Sequence, residues 1–420
     1  MHLSAQQYID SLSKDELEID LSYRKLTKLP DLSRFTKLQE LNCNNNQLTS
    51  LPNSLPDSLK ELYCYDNQLT SLPDILPDSL KKIYCYDNQL TSLPNNLPNS
   101  LQILWCNNNQ LTSLPDTLPN SLEELYCHYT QLTTLPNHLP NSLQVLSCEK
   151  NQLTSLPDTL PNSLQILNCY DNQLTSLPPL PNSLQYLYCY VNQLTSLPDN
   201  LPTSLQLLYC SYNQLTFLPE TLPDSLQQLF CWNNQLTFLP PNLPNSLVNL
   251  HCSDNQLTSL HDLPNSLKYL FCFNNQLTLL PHLPTYLKFL YCHNNQLTSL
   301  PEHLPDYLQE LYCSSNQLTS LPDLPNSLQY FNYENNQKFK SIYPLLFNIG
   351  TISKKKKYIR ERNWQLAKER AEEQMKILNP ESNTGIKGLT ETAIQWRMRP
   401  ERMAQYLNHG YDLDEINDFI

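Results

Sequence analysis

Glycine is nearly absent from this sequence. Only 4 of the 420 residues are glycine, and the first of them is Gly350. Loops that hold dinucleotides or nucleoside triphosphates need glycine at fixed places, because there the backbone approaches the phosphates closely. The part of the chain before Gly350 therefore cannot contain a glycine-rich phosphate loop.

Long apolar segments are also missing. No run of apolar residues approaches the ~18 that a membrane-spanning helix needs. The first ten residues, MHLSAQQYID, do not contain the apolar stretch of a secretory signal peptide. We therefore expect a soluble, unexported protein in a reducing intracellular compartment, which is the cytoplasm or the nucleus.

Positive charge is scarce in most of the chain. Residues 1–337 contain 12 Lys and Arg against 29 Asp and Glu, whereas residues 338–420 contain 15 against 11. Nucleic acid is a poor partner for the acidic part, because contacts with phosphates require Lys and Arg. The uneven charge predicts two parts that differ in their partners.

Cysteine recurs with a regular spacing, which shows that the chain is built of repeats. Consecutive cysteines are always 20 or 21 residues apart, at positions 43, 64, 85, 106, 127, 148, 169, 189, 210, 231, 252, 272, 292 and 313. Each lies in the frame L-x-x-L-x-C-x-x-N-Q-L-T-x-L-P, as in LKELYCYDNQLTSLPDILPDS at 59–79. With a diverged first copy at 17–36 and a last copy from Leu328, the repeats form about sixteen turns of one solenoid.

The repeat frame predicts a parallel sheet. In L-x-x-L-x-C the second Leu and the Cys are two residues apart, so both face the same side of a short strand. Return segments of about fifteen residues make neighbouring strands parallel and the crossovers right-handed. Each return contains two prolines and is too short for a helix, so we expect it to be extended or polyproline-like. The sheet should lie on the concave side of an arc.

The frame N-x-L-x-x-L-P-x-L-P, clearest at 172–181 (NQLTSLPPLP), resembles the leucine-rich repeat family. The specific resemblance is to its shortest class, the 20–21-residue repeats of secreted bacterial effectors, and the nearly identical copies also look like the expanded repeat proteins of giant DNA viruses. The resemblance implies an α/β-type solenoid that is mostly β, a right-handed horseshoe with helical ends. We divide the chain into an N-terminal helical cap (1–16), the solenoid (17–340) and a basic helical C-terminal segment (341–420).

The cysteines do not have the pattern of a metal site. A zinc site usually draws its ligands from C-x-x-C pairs that converge on one point, whereas these thiols form one row. We predict buried, reduced core thiols, with disulfides between neighbours as the alternative, and we expect no cofactor and no metal.

An asparagine closes the strand in fourteen copies, and its amide is expected to satisfy backbone groups of neighbouring turns. Thr130 replaces it once, so the turn at 122–142 is predicted to be a weak point.

The positions that vary between copies lie beside the cysteine. The residue before the cysteine is aromatic in ten of the fifteen copies that begin with Asn42, and more aromatic residues follow the cysteine. Exposed aromatic residues of this number usually mark a binding surface, although stacking between neighbouring strands would also explain them. The candidate partner-binding residues are Tyr186, Tyr188, Tyr190, Tyr209, Tyr212, Phe230, Trp232, Tyr63, Tyr84, Trp105, Asp66 and Asp87.

These features predict a non-enzymatic scaffold for protein–protein interaction. Its partner should be a protein or peptide with a basic surface, and neither nucleic acid nor a membrane. Some bacterial effectors with similar repeats are ubiquitin ligases, but they have a further domain with a nucleophilic cysteine, and residues 314–420 contain no cysteine. The nine histidines form no nucleophile–base arrangement. Carbohydrate or small-ligand binding and a purely structural role are the alternatives.

Both ends of the chain predict helices. Ser4 is a candidate N-cap for a helix with Tyr8, Ile9 and Leu12 on one face, which would cover the first edge of the solenoid. Near the other end, an amphipathic stripe that includes Trp364 and Ala367 ends before Asn379-Pro380, and shorter helices are plausible at 389–399 and 400–409. The run Lys354–Lys357 is either a nuclear import signal or a solvated flank.

Overall fold

The computed structural model describes residues 4–346 and 349–378, and most of the chain forms one parallel sheet. Its sixteen strands follow each other in sequence order, and each pairs with the next. The predicted fold class, a mostly β solenoid with a parallel concave sheet, is therefore confirmed. The strands are β1 Glu18–Asp20, β2 Glu40–Asn42, β3 Glu61–Tyr63, β4 Lys82–Tyr84, β5 Ile103–Trp105, β6 Glu124–Tyr126, β7 Val145–Ser147, β8 Ile166–Asn168, β9 Tyr186–Tyr188, β10 Leu207–Tyr209, β11 Gln228–Phe230, β12 Asn249–His251, β13 Tyr269–Phe271, β14 Phe289–Tyr291, β15 Glu310–Tyr312 and β16 Tyr330–Asn332.

Each strand has three residues, and side chains alternate between its two faces. In β3 the middle residue, Leu62, is buried, whereas Glu61 and Tyr63 are half-buried on the other face. Nearly all the other strands repeat this pattern. We call the first and third residues of each strand, together with the residue after each cysteine, the concave face.

The return segments have no regular secondary structure, and residues 12–338 contain no helix. Their leucines turn inwards: Leu69, Leu72 and Leu76 are buried beside Leu62 and Cys64. The same positions recur in the other turns, so one continuous apolar core runs along the solenoid.

The asparagine ladder connects each turn to the turn before it. Asn67 Nδ2 donates to the Cys43 and Cys64 carbonyls, each at 3.1 Å. Its Oδ1 accepts the Leu48 N–H at 3.0 Å. The predicted structural role of the asparagines is confirmed, because one amide satisfies backbone groups of two turns.

Thr130 breaks this ladder. Its hydroxyl lies 3.0 Å from the Cys127 carbonyl and 2.6 Å from Asn151 Oδ1. At this place in other turns, the asparagine Oδ1 accepts an N–H from the preceding turn. The equivalent Leu111 N–H has no such acceptor among the described residues.

We expect Thr130→Asn to stabilise the turn by about 1–2 kcal/mol, because it would provide an acceptor for the Leu111 N–H and a donor to the Cys106 carbonyl. Hydrogen exchange measured along residues 101–170 should show slower exchange at Leu111. Thr133→Asn, on the exposed side of the same turn, is the control. Equal exchange at Leu111 in the two variants would contradict the prediction.

A second ladder, which the sequence analysis missed, is made by serine. Ser79 Oγ lies 2.6 Å from the Leu59 carbonyl and 2.7 Å from the Asp57 carbonyl, both in the preceding turn. Most turns repeat the contact with the leucine carbonyl. Tyr286 and Tyr307 replace the serine in two neighbouring turns, where their exposed rings lie 5.4 Å apart.

The fourteen cysteines are free thiols, and all are buried, as predicted. Burial raises the pKa of the Cys85 and Cys210 thiols to about 12, from an ordinary value of 9.0. The row therefore packs as part of the core, and thiols that are buried and protonated at neutral pH are poor nucleophiles.

The N-terminal helix α1 extends over Ala5–Ser11 and has the predicted Ser4 cap. Ser4 Oγ accepts the Gln7 N–H, and Gln7 Oε1 accepts the Ser4 N–H, which makes a capping box. The helix places Ile9 in the core with only 1% exposure. Arg34 fixes the end of the helix by donating to the Ile9 and Leu12 carbonyls.

The C-terminal end packs larger side chains on the last turn. Helix α2 is Phe339–Ile342 and helix α3 is Ile352–Leu378. Tyr333, which takes the place of the cysteine, is buried, as are Phe339 and Tyr343. From α3, Asn363 Nδ2 donates to the Leu321 carbonyl at 2.8 Å.

The face of α3 that packs on the last turn is not the one that Trp364 and Ala367 predict. Trp364 and Ala367 of the predicted stripe are exposed, whereas Ile359 is fully buried. Two lysines of the run at 354–357 contact the last turn: Lys356 Nζ donates to the Asn326 carbonyl, and Lys355 lies over the Tyr333 ring.

The helices expected at 389–399 and 400–409 lie outside the described residues. Among the described helices, none combines the length and the apolar character needed to cross a membrane.

Candidate protein-binding surface

The candidate surface is the concave face. Strands pair without a register shift, so the residues at one strand position form a column along the solenoid. Neighbouring members of a column are about 4.8 Å apart, which is close enough for aromatic rings to touch. Most aromatic residues here are therefore half-buried by one another.

The first aromatic group lies on β3 to β5. Tyr63 and Tyr84 stack with ring centroids 4.7 Å apart, and Tyr84 meets Trp105 edge-on at 5.1 Å. The Tyr63 hydroxyl donates to Glu61, which pairs with Lys82 at 2.9 Å. Burial and the Glu61 carboxylate raise the pKa of Tyr63.

The second group contains the seven aromatic residues singled out at the middle of the arc, and five of them make ring contacts with one another. Tyr190 stacks on Tyr209 at 4.3 Å, Tyr209 lies 5.1 Å from Phe230, and Tyr212 meets Trp232 at 4.4 Å. Tyr186 and Tyr188 are the first and third residues of β9, which pairs in register with β10.

A third group, on β12 to β15, was left out of the candidate residues. His251, Phe271 and Tyr291 continue one column, with ring centroids 5.0 and 4.9 Å apart. Phe273 stacks on His293 at 4.4 Å. The signal for this group is in the same sequence columns that mark the first two groups.

The histidines of the third group do not add positive charge at neutral pH. Burial lowers the pKa of His251 to about 4 and also lowers the pKa of His293. This part of the concave face is therefore aromatic, and its charged side chain on the strands is the acidic Glu310, which accepts a hydrogen bond from the Tyr291 hydroxyl.

Asp66 and Asp87 are exposed, but the backbone gives them a second role. Their φ angles are 54° and 52°, in the left-handed region that Asp and Asn tolerate better than most residues. The same place in the other turns also has a positive φ, and it is most often Asn or Asp. The acidic residues at this position are thus explained by turn geometry before any partner is considered.

The turns of β6 to β8 depart from the pattern. Glu149, with an exposed fraction of only 6%, is buried on the concave face. Ser147 Oγ donates to Glu149 Oε2 at 2.6 Å, and His128 Nδ1 lies 3.5 Å from Oε1. Within the described part of the chain, no three His, Cys, Asp or Glu side chains are placed to hold a metal ion.

Comparisons with known proteins agree with this architecture. Models of leucine-rich repeats match residues 37–57 and, as two copies, residues 285–326. YopM, a leucine-rich effector protein from Yersinia pestis, is 40% identical with a TM-score of 0.65, over 76% of this chain and 88% of that chain. A search of curated proteins finds no match.

Two further solved structures share the fold. The functional domain of InlJ from Listeria monocytogenes, which includes a cysteine ladder, is 27% identical with a TM-score of 0.57, over 67% of this chain and 69% of that chain. Toll of Drosophila, in complex with Spätzle, is 21% identical with a TM-score of 0.60, over 76% of this chain and 52% of that chain. At that identity the likeness to Toll shows the fold alone.

Proposed function

The chain belongs to the leucine-rich repeat family, and on that premise we propose that it is a non-enzymatic scaffold that binds a partner protein through its concave face. Proteins with this fold act generally in protein–protein interaction, and Toll is bound to Spätzle in its structure. The family is generally non-enzymatic. The proposed division of this chain is a helical cap at 1–16, the solenoid at 17–340 and a basic segment at 341–420.

The observation that carries the proposal is where the repeats differ. The core leucines, the cysteines and the ladder asparagines are nearly constant, whereas the concave positions change from turn to turn. Tyr and Trp are the residues most often found as binding hot spots, because they bury a large area with little loss of side-chain entropy. We place the centre of the surface at the second aromatic group, with Tyr63, Tyr84 and Trp105 as an extension.

The proposed partner has a basic surface. The solenoid is acidic, and the chain itself places cations on rings: Lys150 Nζ lies 4.3 Å from the Tyr129 ring centroid, and Lys355 Nζ lies 4.8 Å from that of Tyr333. Such contacts between cations and rings are favourable for a partner's Lys or Arg as well. Asp66 and Asp87 would speed its association. We propose that the protein works in a reducing intracellular compartment and that its ligand is neither nucleic acid nor a membrane. We also propose that it is related to the expanded repeat proteins of giant DNA viruses.

The test is a triple variant, Tyr188→Ala, Tyr209→Ala and Trp232→Ala, compared with the unaltered protein in affinity purification. A partner that the unaltered protein retains should bind the triple variant about ten- to a hundredfold more weakly, because hot-spot rings are removed. The Kd is then measured with the purified partner.

The matched control is Phe217→Ala, Phe238→Ala and Tyr286→Ala, which removes three exposed aromatic rings away from the concave face. This control should bind the partner with an unchanged Kd. If the concave variant stays folded and binds as tightly as the control, the proposed surface is wrong.

A purely structural role is the second candidate, and the stacking favours it. Tyr170 and Tyr190 stack at 4.2 Å and Tyr65 and Tyr86 at 4.4 Å, so these rings stabilise the sheet whether or not a partner is present. Loss of stability in the triple variant with no loss of binding would support this role. A carbohydrate or small ligand remains the other alternative to a protein partner.

A further inference from the structure

A second exposed face of the solenoid hardly changes from turn to turn. In the frame N-Q-L-T-x-L-P the two leucines are turned towards the core, whereas the Gln, the Thr and the residue x point away from it, as in Gln68, Thr70 and Ser71. In each of the thirteen turns between residues 47 and 299 the Gln and the Thr are both present and both exposed. We call these three positions the Gln–Thr face.

The side chains of this face are aligned in columns. The Gln68 N–H donates to the Leu48 carbonyl at 2.9 Å, and the Gln89 N–H donates to the Leu69 carbonyl at the same distance. The same backbone contact joins each later turn of the face to the turn before it. Because the turns are hydrogen-bonded at this place, neighbouring rows are about 4.8 Å apart.

The fold makes no use of the polar side chains on this face. Within the described part of the chain, neither the Gln amides nor the Thr hydroxyls of these thirteen turns form a hydrogen bond; Thr319, one turn beyond the face, contacts the Thr298 carbonyl at 3.4 Å. A Gln amide and a Thr hydroxyl can each donate and accept. The face is therefore complementary to a copy of itself, which is what an interface across a two-fold axis requires.

Three apolar side chains occupy this face at position x, where the other turns have Ser or Thr. Phe217 and Phe238 lie in neighbouring turns, and Leu279 lies two turns later. Their exposed fractions are 43, 51 and 57%. Neighbouring apolar side chains that are exposed on a polar surface usually mark an interaction site.

The Gln–Thr face is uncharged, although the solenoid is acidic. Residues 1–337 contain 29 Asp and Glu against 12 Lys and Arg, and none of them is on this face between residues 47 and 299. Two copies of such a chain repel each other unless they meet through uncharged surfaces. Exposed acids border the face three residues after position x, at Asp158, Asp199, Glu220 and Asp262.

We propose that the Gln–Thr face is the interface of a homodimer, in which a second copy of this chain packs antiparallel across a two-fold axis. The axis passes between the turns of Phe217 and Phe238, so that Phe217 of each copy meets Phe238 of the other. Four rings then lie at the centre of the interface, where binding hot spots are concentrated.

The size of this interface fits a dimer. With the axis in this place, the eight turns from Gln152 to Ser299 of each copy face each other. Three side chains in each turn give about 24 residues from each copy, and a standard-size interface has roughly 20–30. The row spacing is the same in both copies, so all eight rows meet their counterparts together. A partner without this repeat would match the face only locally.

Sedimentation equilibrium of the full chain at about 1–100 μM tests the dimer. Phe217→Lys and Phe238→Glu should each weaken dimerisation at least about tenfold, because each places an unpaired charge at the centre of the interface. The matched control is Ser71→Lys, at the same position x but outside the eight turns, and it should change the Kd less than about twofold. All three positions are exposed, so the variants should keep the Tm of the unaltered protein.

Mixing the two variants tests where the axis lies. In the mixed dimer the lysine of one copy faces the glutamate of the other, and the second pair of rings is intact. An equal mixture of Phe217→Lys and Phe238→Glu should therefore dimerise at least about tenfold more tightly than either variant alone.

The salt dependence distinguishes this interface from binding through opposite charges. Raising NaCl from about 50 to about 500 mM should strengthen the dimer, because salt screens the repulsion between the acidic borders. A dimer held by the basic C-terminal segment on the acidic concave face would be weakened.

The proposal is overturned if the unaltered protein stays monomeric up to about 100 μM, or if salt weakens its dimer. It is also overturned if Ser71→Lys acts like Phe217→Lys, or if the mixed variants do not dimerise more tightly. None of these measurements uses the concave face, so they are independent of the triple aromatic variant that tests the proposed function.

Discussion

Raising the pH from 8 to 10 is expected to unfold the solenoid, because fourteen buried thiols resist ionisation in the folded chain. Burial raises the pKa of Cys43, Cys85 and Cys252 to about 12, whereas the thiols of the unfolded chain ionise near 9.0. Because the pKa of each thiol is higher in the folded than in the unfolded chain, the unfolded chain loses its thiol protons first as the pH rises. The stability that these thiols contribute is therefore fully present below pH 9 and falls as the pH rises further.

The size of the effect follows from the number of thiols. At pH 10 each thiol that can ionise only in the unfolded state lowers the free energy of unfolding by about 1.4 kcal/mol. Fourteen of them together exceed the stability of ordinary domains, which is about 5–15 kcal/mol. Tyr86, whose pKa is raised to about 12, acts in the same direction.

The measurement follows two signals during one alkaline titration: thiolate absorbance near 240 nm and the far-ultraviolet circular dichroism of the sheet. Both should change together in a steep transition. Variants such as Cys210→Ala have one buried thiol fewer. For a given free energy of unfolding at pH 7, their transition should therefore lie at a higher pH. Thiolate that forms gradually around pH 9 while the circular dichroism is unchanged would contradict the buried row.

Replacing one ladder asparagine should cost about 3–5 kcal/mol. Asn213 is buried, and its Oδ1 accepts the Leu194 N–H at 2.9 Å. Its Nδ2 lies 3.0 and 3.1 Å from the Cys189 and Cys210 carbonyls. Asn213→Ala would leave a buried N–H without an acceptor and remove the bonds to both carbonyls, each at a cost of about 1–3 kcal/mol.

The stability of Asn213→Ala is measured by urea unfolding, together with hydrogen exchange at Leu194. Asn213→Thr copies the natural Thr130 and should fall between the alanine variant and the unaltered chain. Gln214→Ala, on the exposed neighbour, is the control and should change the unfolding free energy by less than about 0.5 kcal/mol. A cost below about 1 kcal/mol for the alanine variant would mean that the ladder is not a main source of stability.

The fold was predictable because identical turns must satisfy the same backbone groups in the same way. The cysteine spacing and the L-x-x-L-x-C frame predict the parallel sheet, and the asparagine ladder follows from the need to satisfy buried amides. The serine ladder was equally regular in sequence, but a hydroxyl has no required partner when it lies near the surface. Only its 2.6 Å contact at Ser79 reveals the role.

The candidate site was less predictable, since its side chains interact with each other. Asp66 and Asp87 are predicted from the sequence to be binding acids, but the positive φ that favours Asp at this position is not visible in the repeat frame. The burial of Glu149 is not visible either, because nothing in the repeat frame indicates that a residue after the cysteine is covered by its neighbours. Burial of a charge depends on which side chains occupy the adjacent turns.

The in-register stacking of the turns has a consequence for how this protein can change in length. The turns that end at Cys189, Cys272, Cys292 and Tyr333 have 20 residues, one fewer than most of the others, yet their strands keep the same pairing. A length difference is thus absorbed in the return segment and does not reach the concave face. Duplication or loss of a whole turn therefore extends or shortens the binding face by one row of side chains, about 4.8 Å, without disturbing the rest. Recombination between copies can change the reach of the surface, and only the rows at the junction acquire a new neighbour.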